Sequence, residues 1–440
     1  MRNLSTLLLL TLVVGFTILQ YGGVTAREWD VTLIALCVLA LWAWLPGRAA
    51  AFAPPCSPAS TLLTAAVFGY AAFQLVPLPA GWIAVLSPAR YEILRALGPF
   101  HAARWAALSI SPQPTFAHLL RLMAYALVFA MAREIAFQFA NRVWLAAIPL
   151  LALGLFESSI GLVQHFESGA NATGTYMHHG HLAGLLEMVL PLALVSIPMA
   201  FHRGRDRTRN PASATALTCV LIACAAVILL GLLYTASRMS LAAAGVSIAI
   251  LGVAELRSRR NRSIATLVTA VAGLAFLLLS APIGLVGRYE GGLTSEGRFR
   301  IWGDTLTLIA QYPVFGCGLG TFVSGIQRYL STTQSGLVDY AHNDYLQLLA
   351  ELGAVGFLLL MALAAVFVRD TFGSLGSRTN RPARLLLTGC GASLAAIAVH
   401  SLVDFQFYIP ANMMVAAWIA GIAAGIGVSS PQRVHSSLGK

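Results

Sequence analysis

A histidine, an asparagine and an aspartate stand side by side at His342, Asn343 and Asp344, and the chain turns apolar directly after them, through Leu360. An imidazole titrates near neutrality, so His342 at the mouth of a membrane helix is suited to take a proton from a hydroxyl. Tyr340, Asn343 and Asp344 are placed to orient its ring or to contact an acceptor. The plainer reading is a helix start, because Asn343 or Asp344 also makes a good N-cap. Upstream, the longest polar interval of the chain, residues 284–344, holds Arg288, Arg298, Arg300 and Arg328, and Arg238 opens an apolar run in TASRMSLAAAG. Guanidinium groups are permanently charged planar forks that match phosphate oxygens. Several of them converging would bind a phosphate or diphosphate, whereas each alone could snorkel to lipid headgroups. In GRFRIWGDTL a helix puts Arg298 and Trp302 on one face and Arg300 on another. Trp302 then anchors the helix at the interface while Arg298 faces a polar cavity, or the two form a cation–π pair without a ligand.

Other polar groups offer less. His178, His179 and His181 suggest a metal, but no nearby carboxylate completes a ligand set, and contacts to a sugar or to loop backbone fit them better. Glu157, Glu187, Glu351 and Asp404 lie in or near apolar runs, where carboxylates are costly. Each could pair with an arginine such as Arg121, and helix–helix bonding suits Glu157 and Glu187. GCGLGT has the glycine spacing of a dinucleotide loop without the strand and helix that such a loop joins. Neither a P-loop nor a GxSxG elbow is present.

The elements that must position these groups are membrane helices. Of 440 residues, 58% are hydrophobic and 10% charged, well below the quarter that is charged in soluble proteins. About twelve runs are long enough to span a bilayer: 4–21, 29–45, 60–76, 117–132, 143–163, 181–201, 213–234, 240–254, 264–283, 345–368, 385–402 and 410–428. Continuous runs exclude a β-barrel, whose segments alternate. The fold class is therefore all-α polytopic membrane protein, one integral domain over 1–440, with 284–344 as a large loop. Arginine clusters near Arg48, Arg133, Arg203 to Arg209, Arg257 to Arg262 and Arg369 to Arg384 all fall on one side if both termini are cytoplasmic. That puts His342 and the arginines around it on the outer face. Such scattered arginines explain the net charge of +11 without a nucleic-acid partner. Six cysteines show no disulfide or zinc pattern, and the amino terminus reads as a retained first helix. On the outer face, GWIAVLSPARYEILRAL and HAARWAAL have the character of helices lying in the interface, and an amphipathic helix is expected over 296–311.

HNDYLQLLAELGAVGF resembles the signature of the O-antigen ligase and O-antigen polymerase family, in which a histidine and a Leu-x-x-Leu-x-Glu-x-Gly-x-x-Gly helix follow a large periplasmic loop. GRFRIWGDTL, PVFGCGLGTF, TASRMSLAAAG, LSISPQPTFAHLLRLMAYAL and GTYMHHGHLAGLLEMVLPLAL are also similar to family segments. The resemblance implies a GT-C-like glycosyltransferase of the bacterial inner membrane, with about twelve spans. It implies a glycan taken from undecaprenyl diphosphate on the periplasmic face, without a metal or other cofactor. It marks His342 as the catalytic histidine and Arg238 and Arg298 as donor-diphosphate ligands; Arg300 matches no fixed family position, and the loop alone suggests it as a further donor contact. HHGHLA departs from the family's Asn-x-Asn/His-x-x-Ala pattern, which bears on His179 and His181 as acceptor or loop contacts. The acceptor is lipid A-core for a ligase or a second lipid-linked glycan for a polymerase. The single large loop favours the ligase. A lipid-linked oligosaccharide flippase is the alternative of another class, but it would collect its ionisable groups at the midplane.

Overall fold

The computed structural model describes residues 2–44, 52–97, 104–204, 211–255, 295–331, 337–377 and 380–428. The chain forms α1 (Arg2–Leu19), α2 (Ala26–Trp44), α3 (Pro58–Phe73), α4 (Ala80–Leu86), α5 (Pro88–Leu97), α6 (Pro112–Gln138), α7 (Ile148–Ser168) and α8 (His179–Gly204). These are followed by α9 (Pro211–Tyr234), α10 (Arg238–Glu255), α11 (Ser295–Gln311), α12 (Phe322–Ile326), α13 (Asp344–Phe372), α14 (Arg381–His400) and α15 (Pro410–Val428). Two-residue strands β1 (Leu78–Pro79) and β2 (Trp105–Ala106) pair antiparallel. Every expected apolar run except 264–283 falls on a helix; that run, and Arg288, lie outside the described residues.

Among the described residues, seven helices are long and apolar enough to cross a membrane: α6 to α9 and α13 to α15. Helices α1, α3 and α10 are apolar but shorter, and α2 begins with Arg27, Glu28 and Asp30. The protein is therefore an all-α polytopic membrane protein. The segment HAARWAAL departs from the helix expected of it. At Trp105–Ala106 it is extended and pairs with Leu78–Pro79, which closes the α4–α5 excursion back onto the start of α6.

Short connections make neighbouring helices antiparallel, so α8, α10, α13 and α15 begin at the end where α7, α9 and α14 finish. Hydrogen bonds tie that end together: Ala172 N–H donates to Tyr234 O at 2.9 Å, and Asp344 N–H to Ser401 O at 2.9 Å. Asn412 Nδ2 donates to His181 O at 3.0 Å. Within the core, α15 packs against α6 through GIAAGIG, where membrane helices gain contact by bringing backbones close. A Cβ on Gly421 would sit 2.5 Å from Phe129 O, and one on Gly425 2.5 Å from Arg133 O. Gly421→Leu is expected to destabilise the folded protein by about 1–3 kcal/mol, seen as a lower melting temperature in detergent, whereas leucine at the open Gly69 position is tolerated.

Helix α13 is broken once, at Gly353, where φ is 61° and ψ −174°. The break lets the segment Pro313–Gly318 dock against the freed backbone. Cys317 and Gly318 N–H donate to Ala350 O and Glu351 O at 2.9 Å, and Ala354 N–H donates to Pro313 O at 2.9 Å. Tyr70 and Gln74, at the end of α3, satisfy what remains: Tyr70 Oη donates to Leu352 O at 2.6 Å and Gln74 Nε2 to Glu351 O at 3.0 Å. The carboxylate of Glu351 is fully engaged, accepting from Gly320 N, Phe322 N, Tyr408 Oη and Gln347 Nε2. The glutamate and glycines of LAELGAVG thus fasten the GCGLGT turn to α13.

Candidate functional site

His342 lies one residue before the N-cap of α13 and takes φ of 50°. A non-glycine residue in that left-handed region costs on the order of 1 kcal/mol and persists only when its surroundings over-determine it. They do so here. Asn343 caps α13, its Oδ1 accepting from Leu346 N at 3.0 Å. Asp344, fully buried, accepts from Phe407 N at 2.8 Å through Oδ2, while its own N–H binds Ser401 O. From α11, Trp302 Nε1 donates to the His342 carbonyl at 3.3 Å. That contact fixes the face of α11 carrying Trp302 and, one turn earlier, Arg298 toward His342.

The His342 ring faces the connection between α14 and α15. Nδ1 is 3.5 Å from Asp404 Oδ1, and the edge-on ring of Phe405 is 4.9 Å away. Tyr340 stacks flat on the same Phe405 at 4.1 Å. Behind Asp404, His400 Nε2 is 3.6 Å from Oδ2, and His400 Nδ1 is 3.0 Å from Glu187 Oε2. Glu187 therefore joins α8 to α14. Glu157 does something else: it accepts from Thr175 N at 2.9 Å and Thr175 Oγ1 at 2.8 Å, holding the loop before α8 rather than bonding helix to helix.

The histidines of that loop reach the same place. The rings of His178 and His179 lie 4.1 Å apart, His178 and His181 5.5 Å, and His181 is edge-on to Phe405 at 5.2 Å. Gln406 and Asn412 hold the backbone beneath them, Gln406 Nε2 donating to Gly180 O at 3.1 Å. No group of three His, Cys, Asp or Glu side chains among the described residues is arranged to hold a metal ion. His179 also lies beside the backbone of Thr235, three residues before Arg238, so the first turn of α10 borders the cluster.

The arginines divide. Arg298 is half-buried, and its Nε is enclosed without a hydrogen-bond partner among the described residues. Arg238 is half-buried at the start of α10, and Arg300 is exposed on a different face of α11, as the helical spacing requires. Arg328 forms an exposed pair with Glu92 at 3.7 Å. Arg121 has no carboxylate within ion-pairing distance among the described residues; its guanidinium meets His118 at 3.4 Å and lies 5.5 Å from the Trp29 ring.

Charges in the cluster act on one another. Burial pushes the Asp404 carboxyl up, but the His342 and His400 rings against its oxygens outweigh that and hold it well below the usual carboxylate range. Burial pushes His178 down; Asp404 opposes the shift, and the charges of His342 and Arg298 add to it. Arg298, His342, His178 and Asp404 are thus within electrostatic reach. The arrangement can take a proton at His342, stabilise the imidazolium through Asp404 and present guanidinium charge to an anion. Sequence reasoning passed over Asp404, Phe405 and His400 as site residues. The signal available was an acid four residues after a histidine at the end of an apolar run, in HSLVDF.

Residues 223–361 match the family model Wzy_C, described as O-antigen ligase. This region belongs to that family. It runs from α9 through the break in α13 and carries Arg238, Arg298, Arg300, Tyr340, His342, Asn343 and Asp344, while Asp404, His400 and the His178–His181 cluster lie outside it. The O-antigen ligase and polymerase family comprises glycosyltransferase-like enzymes acting on lipid-linked glycans. No curated protein matches the chain.

Proposed function

We propose that the protein is an O-antigen ligase, which takes a glycan from undecaprenyl diphosphate and transfers it to lipid A-core on the periplasmic side of the inner membrane. In this reading the chain spans the bilayer about twelve times in a GT-C-like arrangement, with both termini cytoplasmic. His342 is the base that removes a proton from the acceptor hydroxyl, and Arg238 and Arg298 hold the donor diphosphate, with Arg300 at its outer margin. Tyr340, His179 and His181 line the acceptor side; Asn343 and Asp344 act by fixing the loop. Attack on the anomeric carbon breaks its bond to the diphosphate oxygen, and a single displacement inverts that centre. Leaving-group charge falls on the arginines, which act without reorganising. The stored diphosphate ester drives the step.

The observation that carries this reading is the meeting of His342 with α11 through Trp302, with Arg298 one turn away and its Nε without a partner among the described residues. A buried, unpartnered guanidinium nitrogen is costly unless a ligand completes it. The ionisable groups also gather at one end of the helices rather than at their middle, which argues against a transporter. Purified protein with a lipid-linked donor and lipid A-core is expected to yield ligated product, with Arg238→Ala and Arg298→Ala each reducing the rate about 10²–10³-fold. In a deletion strain, polymer of normal length retained on its lipid carrier and absent from lipid A-core supports a ligase. Loss of chain length identifies a polymerase instead.

A further inference from the structure

We infer that Asp404 is a positioning residue for His342, held in turn by a buried His400–Glu187 pair, so that four alternating acidic and basic groups from two helices and two loops act as one unit. The inference rests on the reading of His342 as the base. The unit runs Glu187, His400, Asp404, His342, with separations of 3.0, 3.6 and 3.5 Å. The first is a hydrogen bond; the other two are loose, as contacts in unliganded sites often are. Each partner has a defined geometric duty. His400 has a carboxylate oxygen at each ring nitrogen, and an imidazole satisfies two acceptors only with a proton on both nitrogens. His400 then offsets one of the two carboxylates and leaves one negative charge on the unit. That charge is cancelled when His342 takes a proton, which is the change that the transfer step makes.

The unit is not a channel for that proton. Glu187 is 0% and His400 1% exposed, so the chain of groups ends inside the helix bundle, and the proton on His342 must leave by the open side of its ring. What the unit does is hold Nδ1 toward Asp404, which leaves Nε2 free to face the acceptor, and stabilise the imidazolium electrostatically. Other charged groups face the pair: His178, His179 and His181 from the loop and first turn of α8, Arg298 from α11, and Asp344 from α13. The cationic or neutral groups among them cannot substitute for Asp404, and the Asp344 Oδ2 is engaged with Phe407 N.

The test is the pH dependence of kcat/KM in reconstituted transfer, with Asp404→Asn and Glu187→Gln measured beside wild type and His342→Ala. A base works when unprotonated, so activity rises with pH through its pKa. Removing the Asp404 charge destabilises the imidazolium, and the acidic limb of Asp404→Asn is expected to move to lower pH by about one unit. Its maximal kcat should fall roughly 10²-fold, with the donor KM within about twofold of wild type. Glu187→Gln should move the limb the same way by less, which keeps the test alive if Asp404→Asn does not yield folded protein. A lowered kcat with the limb unmoved in both variants would reduce these residues to packing and overturn the inference while leaving the base intact. Full activity of His342→Ala would instead defeat the functional reading itself.

Discussion

Replacing His342 with alanine is expected to lower glycan transfer by about 10²–10⁴-fold, the usual contribution of a general base, while the protein still inserts and purifies as wild type. The reason for expecting normal folding is that His342 contributes little to its own loop. Its carbonyl, not its ring, binds Trp302, and the loop is latched by Asn343 and Asp344. Alanine is a little less at home than histidine in the left-handed region, but the latched loop holds either residue there, so the main loss is the imidazole. Activity in membranes together with the amount of protein there distinguishes the two effects. A variant that transfers glycan at the normal rate removes the assignment.

Gly353→Val has the other large expected effect, on assembly. At φ 61° and ψ −174° the backbone occupies a region open essentially to glycine alone. A Cβ there would also overlap the Val314 carbonyl carbon and sit 2.5 Å from Gly316 N. Backbone atoms on the docked segment have nowhere to move, because they are bonded to Ala350, Glu351 and Ala354. A destabilisation of about 3 kcal/mol or more is expected, read as little or no folded protein in membranes. Relaxation by straightening α13 would not rescue it, since that detaches the GCGLGT turn from Glu351. Gly376, beyond the far end of α13, faces open space; it should accept alanine without loss and serves as the control.

The frame was legible because apolar runs announce membrane helices wherever they pack, and the amphipathic pattern over 296–311 marked α11 to within a residue. The start of α13 was equally plain, since Asn343 caps it where the sequence becomes apolar. Two features were hidden. The expected continuous run 345–368 contains the break at Gly353, which arises because a loop forty residues earlier docks there, a contact no local pattern carries. Asp404 and Glu187 were read one at a time as acids needing any partner, and His400 was not singled out at all. Their partners proved to be one another, across α8, α14 and the loop that follows. Arg300 shares the composition of its neighbours, yet helical geometry alone turns it to the exposed face. In HAARWAAL, aromatic and basic character suggested a helix, but Trp105 and Ala106 pair with Leu78 and Pro79 as strand.

Acid should weaken the fold through the same cluster, and the sign is defined. His178 is held below its ordinary value, so the unfolded chain takes up protons first as pH falls through about 6.5, and the folded state loses stability from there downward. Asp404, held below the carboxylate range, contributes stability that is complete above about pH 4 and is lost only as pH falls through its lower folded value. Melting temperature against pH should therefore begin to drop near pH 6.5, and His178→Asn should make that drop smaller.

Binding of a polyprenyl-diphosphate-linked glycan to purified protein tests most directly whether guanidinium groups hold the donor while the imidazole does the chemistry. His342→Ala is predicted to bind the donor within about threefold of wild type, whereas Arg298→Ala and Arg238→Ala each weaken binding about tenfold or more. Undiminished binding by both arginine variants, or loss of binding by His342→Ala alone, would contradict that division of labour.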